Sequence, residues 1–165
     1  MQGYAQRPST PPTGYHKIHV DAAVRQGRGG SVSTVCRDGN GIFIGSSSLV
    51  VMGIHDPTTL EAMAVREALA LGEDLHISNM VISSDCKQVI GDIQKGSDGR
   101  YGAIIKEIKL QTATSNCIFK FESRRVNLEA HNLARHSLTL GPGRHVWFGQ
   151  SHNQNCIPHN VIFDK

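Results

Sequence analysis

Residues 17–41 run Lys17-Ile18-His19-Val20-Asp21-Ala22-Ala23-Val24, then Arg25-Gln26-Gly27-Arg28-Gly29-Gly30, then Ser31-Val32-Ser33-Thr34-Val35-Cys36-Arg37, closing on Asp38-Gly39-Asn40-Gly41. Ile18 and Val20 alternate with polar residues, the period of a strand. Gly27, Gly29 and Gly30 interrupt it, with Arg25 and Arg28 between. Val32 and Val35 mark a second strand. Asp38-Gly39-Asn40-Gly41 is a hairpin signal, because Asp, Asn and Gly tolerate positive φ. Ile42 to Met52 supplies the return strand, and the three form an antiparallel meander.

Downstream the period changes. Pro57 suits a first helical turn, and Thr58 with Glu61 fits a capping box. Leu60, Ala64, Ala68 and Leu71 recur at helical spacing, and Gly72 weakens that helix near its end. Asn79 to Ser84 is a short apolar strand with Asp85 at its carboxyl end. A helix follows through Val89, Ile90 and Ile93, another over 103–110, a weak strand over 116–121, and an amphipathic helix over 128–138. The order β-β-β-α-β-α-α-β-α predicts an α/β domain, a mixed five-stranded sheet with helices on both faces.

Around this core, residues 1–14 hold Pro8, Pro11, Pro12 and Gly14 among small polar residues and read as a flexible leader. The domain is expected over 15–140, with an irregular tail over 141–165. The chain has 165 residues, 39% of them hydrophobic, with a formal net charge of +3, which suits one globular domain. Such a mild charge excess is no argument for nucleic-acid binding by itself. Cys36, Cys86, Cys117 and Cys156 form no C-x-x-C pair, which argues against a thiolate zinc site and for free thiols in a reducing compartment. No secretory leader opens the chain and no apolar run reaches membrane length, so the expectation is an intracellular monomer, nuclear or cytoplasmic, with no membrane partner. His16, His19, His55, His76, His136, His145, His152 and His159 show no tight metal-ligand spacing, and His152 with Cys156 is only an i, i+4 pair.

Three carboxylates carry the chemical signal. Asp21 lies inside a strand, where Asp is depleted. Glu61 sits in the first turn of the long helix, where completing the capping box is its alternative role. Asp85 ends a strand, where capping the next helix is the alternative. Sites in open α/β sheets gather at strand ends. Clustered carboxylates repel unless cations are present, and hard divalent ions with oxygen ligands, magnesium first, remove that cost. Two such ions roughly 3.5–4 Å apart stabilise both the entering and departing oxygens of phosphodiester cleavage.

These segments together resemble the ribonuclease H superfamily, and most closely the reverse-transcriptase-like ribonuclease H domains abundant in plants. The stretches that carry the resemblance are 17–23, 32–41, Leu60-Glu61-Ala62-Met63-Ala64-Val65-Arg66-Glu67-Ala68-Leu69, Val81-Ile82-Ser83-Ser84-Asp85-Cys86, and 123–135 with Asn127 four residues before position 131. The resemblance covers residues 17 to about 148. It implies a metal-dependent endonuclease acting on the RNA strand of RNA–DNA hybrids, with Mg2+ or Mn2+ held by Asp21, Glu61, Asp85 and position 131. That position departs from the family acid: it is His131. Neutral imidazole brings no negative charge and favours manganese over magnesium, so a weakened second-metal site is implied. His131 has two alternatives: moving protons during product release, or making an ordinary helix hydrogen bond. Two further departures are Ala22 after the first aspartate, where glycine is usual, and Phe121 near the place of a loop histidine. Phe121 reads as core or sheet packing. A hybrid would be gripped through phosphates and 2′-hydroxyls, with Arg25, Arg28, Arg124 and Asn127 as the candidate contacts and solvated surface charge as the alternative for each arginine. The other functional readings are a non-catalytic, retroelement-derived nucleic-acid-binding module, and a protein-interaction module using Trp147 and Phe148.

Overall fold

The computed structural model describes residues 6–165. Strand β1 (His16–Arg25) pairs antiparallel with β2 (Gly29–Arg37), and β2 with β3 (Phe43–Met52). At the β2–β3 hairpin the Asp38 carboxylate accepts from the Asn40 and Ile42 amides at 2.9 and 3.0 Å, and Gly41 takes φ +81°, so the turn forms from its own side chain. Helix α1 (Pro57–Asp74) then crosses the sheet to β4 (Asn79–Ser84), which lies parallel to β1. Helices α2 (Lys87–Lys95) and α3 (Gly102–Thr112) lead to β5 (Asn116–Phe121), parallel to β4. A short turn of 3₁₀ helix precedes α4 (Leu128–Ser137).

The sheet has six strands, in the order β5-β4-β1-β2-β3-β6. The sixth corrects the expected count of five: Gly143–Phe148 forms β6, antiparallel to β3, inside the segment read as an irregular tail. Alternate β6 residues serve opposite faces. Val146 packs toward the α1 side and Trp147 toward the α4 side. Four central residues of mixed polarity behind Pro142 gave no clear alternation, so pairing with β3 decides the matter.

Two apolar cores flank the sheet. Ile18, Val20, Val32 and Ile82 pack with Leu60, Ala64 and Ala68 of α1 and with Ile105 and Ile108 of α3. On the other face Val35 and Phe43 meet Ala130 and Leu133 of α4 and Ile157. Fully burying side chains of this size contributes roughly 1.5–3 kcal/mol each. No helix among the described residues is long and apolar enough to cross a membrane.

Two more expectations change. Residues 1–5 of the expected flexible leader lie outside the described residues, but Ser9 and Thr10 are docked. Thr10 N donates to Asp164 O at 2.9 Å, Asp164 N donates to Pro8 O at 2.7 Å, and Pro11 is buried. The prolines forbid helix and strand interior, not docking. The capping box is absent as well. Asp56 caps α1, its carboxylate accepting from Thr59 N at 3.1 Å and Thr59 Oγ1 at 2.6 Å. A stronger cap two residues upstream of Thr58 leaves Glu61 free of that duty.

Candidate metal centre

Successive β1 side chains alternate between faces, so Ile18 and Val20 enter the α1 core while Lys17, His19 and Asp21 share the opposite face. Strand β4 pairs with β1 up to Ser84 opposite Val20 and then ends, which sets Asp85 beside Asp21. Helix α1 is held down where Leu60 is buried, and that seating points Glu61, one residue on, at the same spot. Asp21, Glu61 and Asp85 each offer a carboxylate oxygen, and these oxygens all lie within 4.8 Å of one another.

The electrostatics of this cluster are unresolved within the protein. Asp21 is 3% exposed. Burial first, and the Asp21 charge second, push the Glu61 carboxyl well above the usual carboxylate range. Asp85 is pushed up for the same two reasons, with Arg124 and His131 pulling against them. The Glu61 Oε2 atom is buried and has no hydrogen-bond partner. The large majority of buried side-chain polar atoms are paired, so this orphan, set among three carboxylates, leaves room for a ligand. A divalent cation fits: the donors are carboxylate oxygens alone, the set a hard ion takes.

Helix α4 closes the site. His131 Nδ1 is 3.0 Å from Asp21 Oδ2, and Asn127, 1% exposed, donates from Nδ2 to Val20 O at 2.8 Å. Asn127 therefore ties α4 to β1 from a buried position and offers no open surface to a substrate. Asp85 does not cap α2: that position is Cys86, with no side-chain cap bond.

The cleft is lined by Asp21, Ala22, Pro57, Thr58, Glu61, Asp85, Cys86 and Arg124. Arg124 is thus the one candidate arginine at the acids. Arg25 and Arg28 lie at the β1–β2 hairpin and line a separate apolar groove with Val50, Met52, Leu138 and Leu140. Arg25 Nη1 donates to Leu138 O at 3.1 Å. Phe121 is 37% exposed at the end of an edge strand, with the Lys87 ammonium 4.8 Å from its ring centre, so the core-packing expectation gives way to a half-open platform. Pro57, Thr58 and Cys86 were not singled out as cleft residues by sequence reasoning. Thr58 and Glu61 sit three apart on one helix face, and that spacing was the available signal.

The Reverse transcriptase-like family model matches residues 19–137. No curated protein sequence matches the chain. Among solved structures, ribonuclease H1 of the halophilic archaeon Halobacterium salinarum superposes with a TM-score of 0.64 at 16% identity, covering 75% of this chain and 97% of that one. The N-terminal ribonuclease H domain of a Mycobacterium tuberculosis protein gives 0.66 at 15% identity, covering 75% and 93%. A compost-derived ribonuclease H1 in complex with an RNA/DNA hybrid gives 0.60 at 16% identity, covering 73% and 94%. At these identities the likeness speaks to the fold.

Proposed function

Since the chain belongs to the reverse transcriptase-like family of ribonuclease H domains, we propose that it is a divalent-metal-dependent endonuclease cutting the RNA strand of RNA–DNA hybrids. One observation carries the reading: three carboxylates from β1, α1 and the end of β4 converge within 4.8 Å, an arrangement that folding alone does not reward. Asp21, Glu61 and Asp85 would hold the metal, Mg2+ or Mn2+. When bound, such ions supply a nucleophile at neutral pH and charge neutralisation at the scissile phosphate.

The remaining roles belong to the chain itself. Arg124, beside Asp85, meets the backbone phosphate next to the cut. Arg28, in the glycine-rich hairpin, meets a second phosphate, and Arg25 contributes charge while tied to α4. Contacts of this kind fix position and carry no sequence information. His131 orients Asp21 through Nδ1, leaving Nε2 to take or give a proton at the cleft.

The test is cleavage of a labelled hybrid with magnesium and then manganese, using wild type, Asp21→Asn and Asp85→Asn. Loss in both variants supports the proposal, and cleavage that survives both removes it. A second reading has its own observation. His131 stands where the family carboxylate would be, and its Nδ1 lies 3.0 Å from Asp21 Oδ2 instead of adding a carboxylate for a second ion. Hybrid binding with no cleavage under either metal would establish a non-catalytic binding module.

A further inference from the structure

Glu122, one residue past β5, holds both acid-bearing strands by their stems. Its carboxylate forms a buried ion pair with Lys17 of β1. It accepts from Ser83 Oγ of β4 at 2.8 Å and lies 3.5 Å from His19 Nε2. His19 stands two residues before Asp21, and Ser83 two residues before Asp85. Since a strand repeats every two residues, Glu122 sits on the same sheet face as both acids. Its backbone N–H donates to Ser84 O at 3.0 Å, which prolongs the β4–β5 ladder to the residue before Asp85.

The segment Pro8–Pro12 seals this network. Ser9 N donates to Glu122 Oε2 at 3.1 Å, and Ser9 Oγ lies 3.4 Å from the same oxygen. Lys17 Nζ donates to Ser9 O at 2.6 Å and to Ser9 Oγ at 2.9 Å. Lys120 Nζ donates to Ser9 Oγ at 2.5 Å. Behind Ser9, Pro8 and Thr10 bond the backbone of Asp164, and the Phe163 ring lies 5.8 Å from the Lys17 ammonium. With these segments in place Lys17 is 1% exposed. Without them a charged pair tuned to a dry site would meet water.

We propose that Glu122 is a positioning residue for the acid cleft and that Pro8–Pro12 is the clasp that seats it. Lifting the clasp loosens β1 and β4 just below Asp21 and Asp85, and so weakens cation binding without altering any acid of the cleft. This deepens the metal-site reading above and rests on it.

The test uses the full chain carrying Ser9→Pro, which removes the backbone N–H that donates to Glu122 Oε2 together with the hydroxyl contacts. Ser9→Ala, which removes only the hydroxyl contacts, serves as the milder variant that keeps the fold. Two quantities are read well below the unfolding temperature: amide exchange at Asp21, Ala22, Asp85 and Cys86, and Mn2+ affinity by electron paramagnetic resonance without nucleic acid. In Ser9→Pro, exchange at those amides is expected to accelerate about tenfold or more, and Mn2+ affinity to fall about tenfold, the scale of losing an outer support of a metal site. Ser9→Ala moves both in the same direction by less. Unchanged exchange at these four amides in Ser9→Pro overturns the clasp, as does faster exchange spread evenly over the whole sheet, the pattern of mere destabilisation. If wild type binds no Mn2+, the metal-site reading fails, and the exchange comparison still decides the clasp.

Discussion

Lys17, His19 and Asp21 share one face of β1, yet the carboxylates they meet are treated in opposite ways. Around Glu122 the chain supplies Lys17, Ser83, the Ser9 amide and a nearby His19. Although burial pushes the Glu122 carboxyl up, the nearby His19 ring, the Lys17 ammonium and the Ser9 amide hold it far below the usual range. Lys17 is itself lowered, because burial outweighs what Glu122 returns. Two residues along, Asp21, Glu61 and Asp85 crowd together, and burial and mutual repulsion drive Glu61 and Asp85 upward. At the first site the Glu122 carboxylate is satisfied by its own protein. The second is left short of positive charge, which a proton or an outside cation would supply. A satisfied buried pair holds a fold together, whereas an unsatisfied one marks a place of work.

The sharpest way to break this comparison is to remove one acid from each site and read two quantities. Asp21→Asn should cut hybrid cleavage by on the order of 10²–10³-fold, the scale of losing one preorganised electrostatic group. The same substitution relieves Glu61, so metal-free stability to urea should rise by on the order of 1 kcal/mol. Glu122→Ala should run the other way. It strands the Lys17 ammonium in a dry site and costs roughly 3–5 kcal/mol of stability. A Lys17→Met/Glu122→Leu double variant should recover most of that loss, because similar-volume apolar replacement of a buried pair is often neutral. If Asp21→Asn destabilises the metal-free protein as Glu122→Ala does, the contrast between the two sites is false.

Acid and base sharpen the contrast next. Glu61 and Asp85 have folded pKa values above their unfolded ones. Their contribution is therefore fully present below the ordinary carboxylate value and is lost as pH rises through the folded values. Glu122 has a depressed folded value, so its contribution is present above the ordinary carboxylate value and lost as pH falls toward the folded one. Between about pH 5 and about pH 8 the Glu122 contribution is flat while the cleft contribution declines. The metal-free melting temperature should fall across that window. Saturating Mn2+ should flatten the slope, since the ion replaces the proton. A metal-free melting curve with no pH slope there counts against the uncompensated cleft.

The same contrast explains what the sequence made legible. The meander could be read because alternation, glycine turns and Asp38-Gly39-Asn40-Gly41 are local signals, and Asp38 does bond its own turn. Asp21 stood out because an acid inside an apolar strand is costly and needs a reason. Glu61 and Asp85 each had an innocent local role, and only a fold template set them beside Asp21. The Glu122 site was invisible for a different reason. Its partners come from residues 9, 17, 19, 83 and 122, and no spacing rule links them. Strand β6 was missed on similar grounds, since its pairing with β3 is tertiary. Asp56 was overlooked as a cap because Thr58 and Glu61 matched a familiar pattern two residues later.

His131 gives the smallest expected effect and tests how far the cleft is from a full set of acids. Its Nδ1 faces Asp21 Oδ2 at 3.0 Å, and α4 is pinned there by Asn127 on Val20 O and by Leu133 in the core. Replacing imidazole by carboxylate on so fixed a helix adds a fourth like charge without moving the backbone. In His131→Asp the metal-free protein should lose about 1 kcal/mol, because a group in hydrogen-bond contact with Asp21 becomes one that repels it. Cation affinity should move oppositely, by about tenfold, which is about 1.4 kcal/mol. The gain should be larger for Mg2+ than for Mn2+, because the exchange trades an imidazole nitrogen for a hard oxygen. Isothermal titration with each metal on both proteins reads this directly. Equal gains for the two ions would mean that His131 never faced the cation and serves only to hold Asp21 in place.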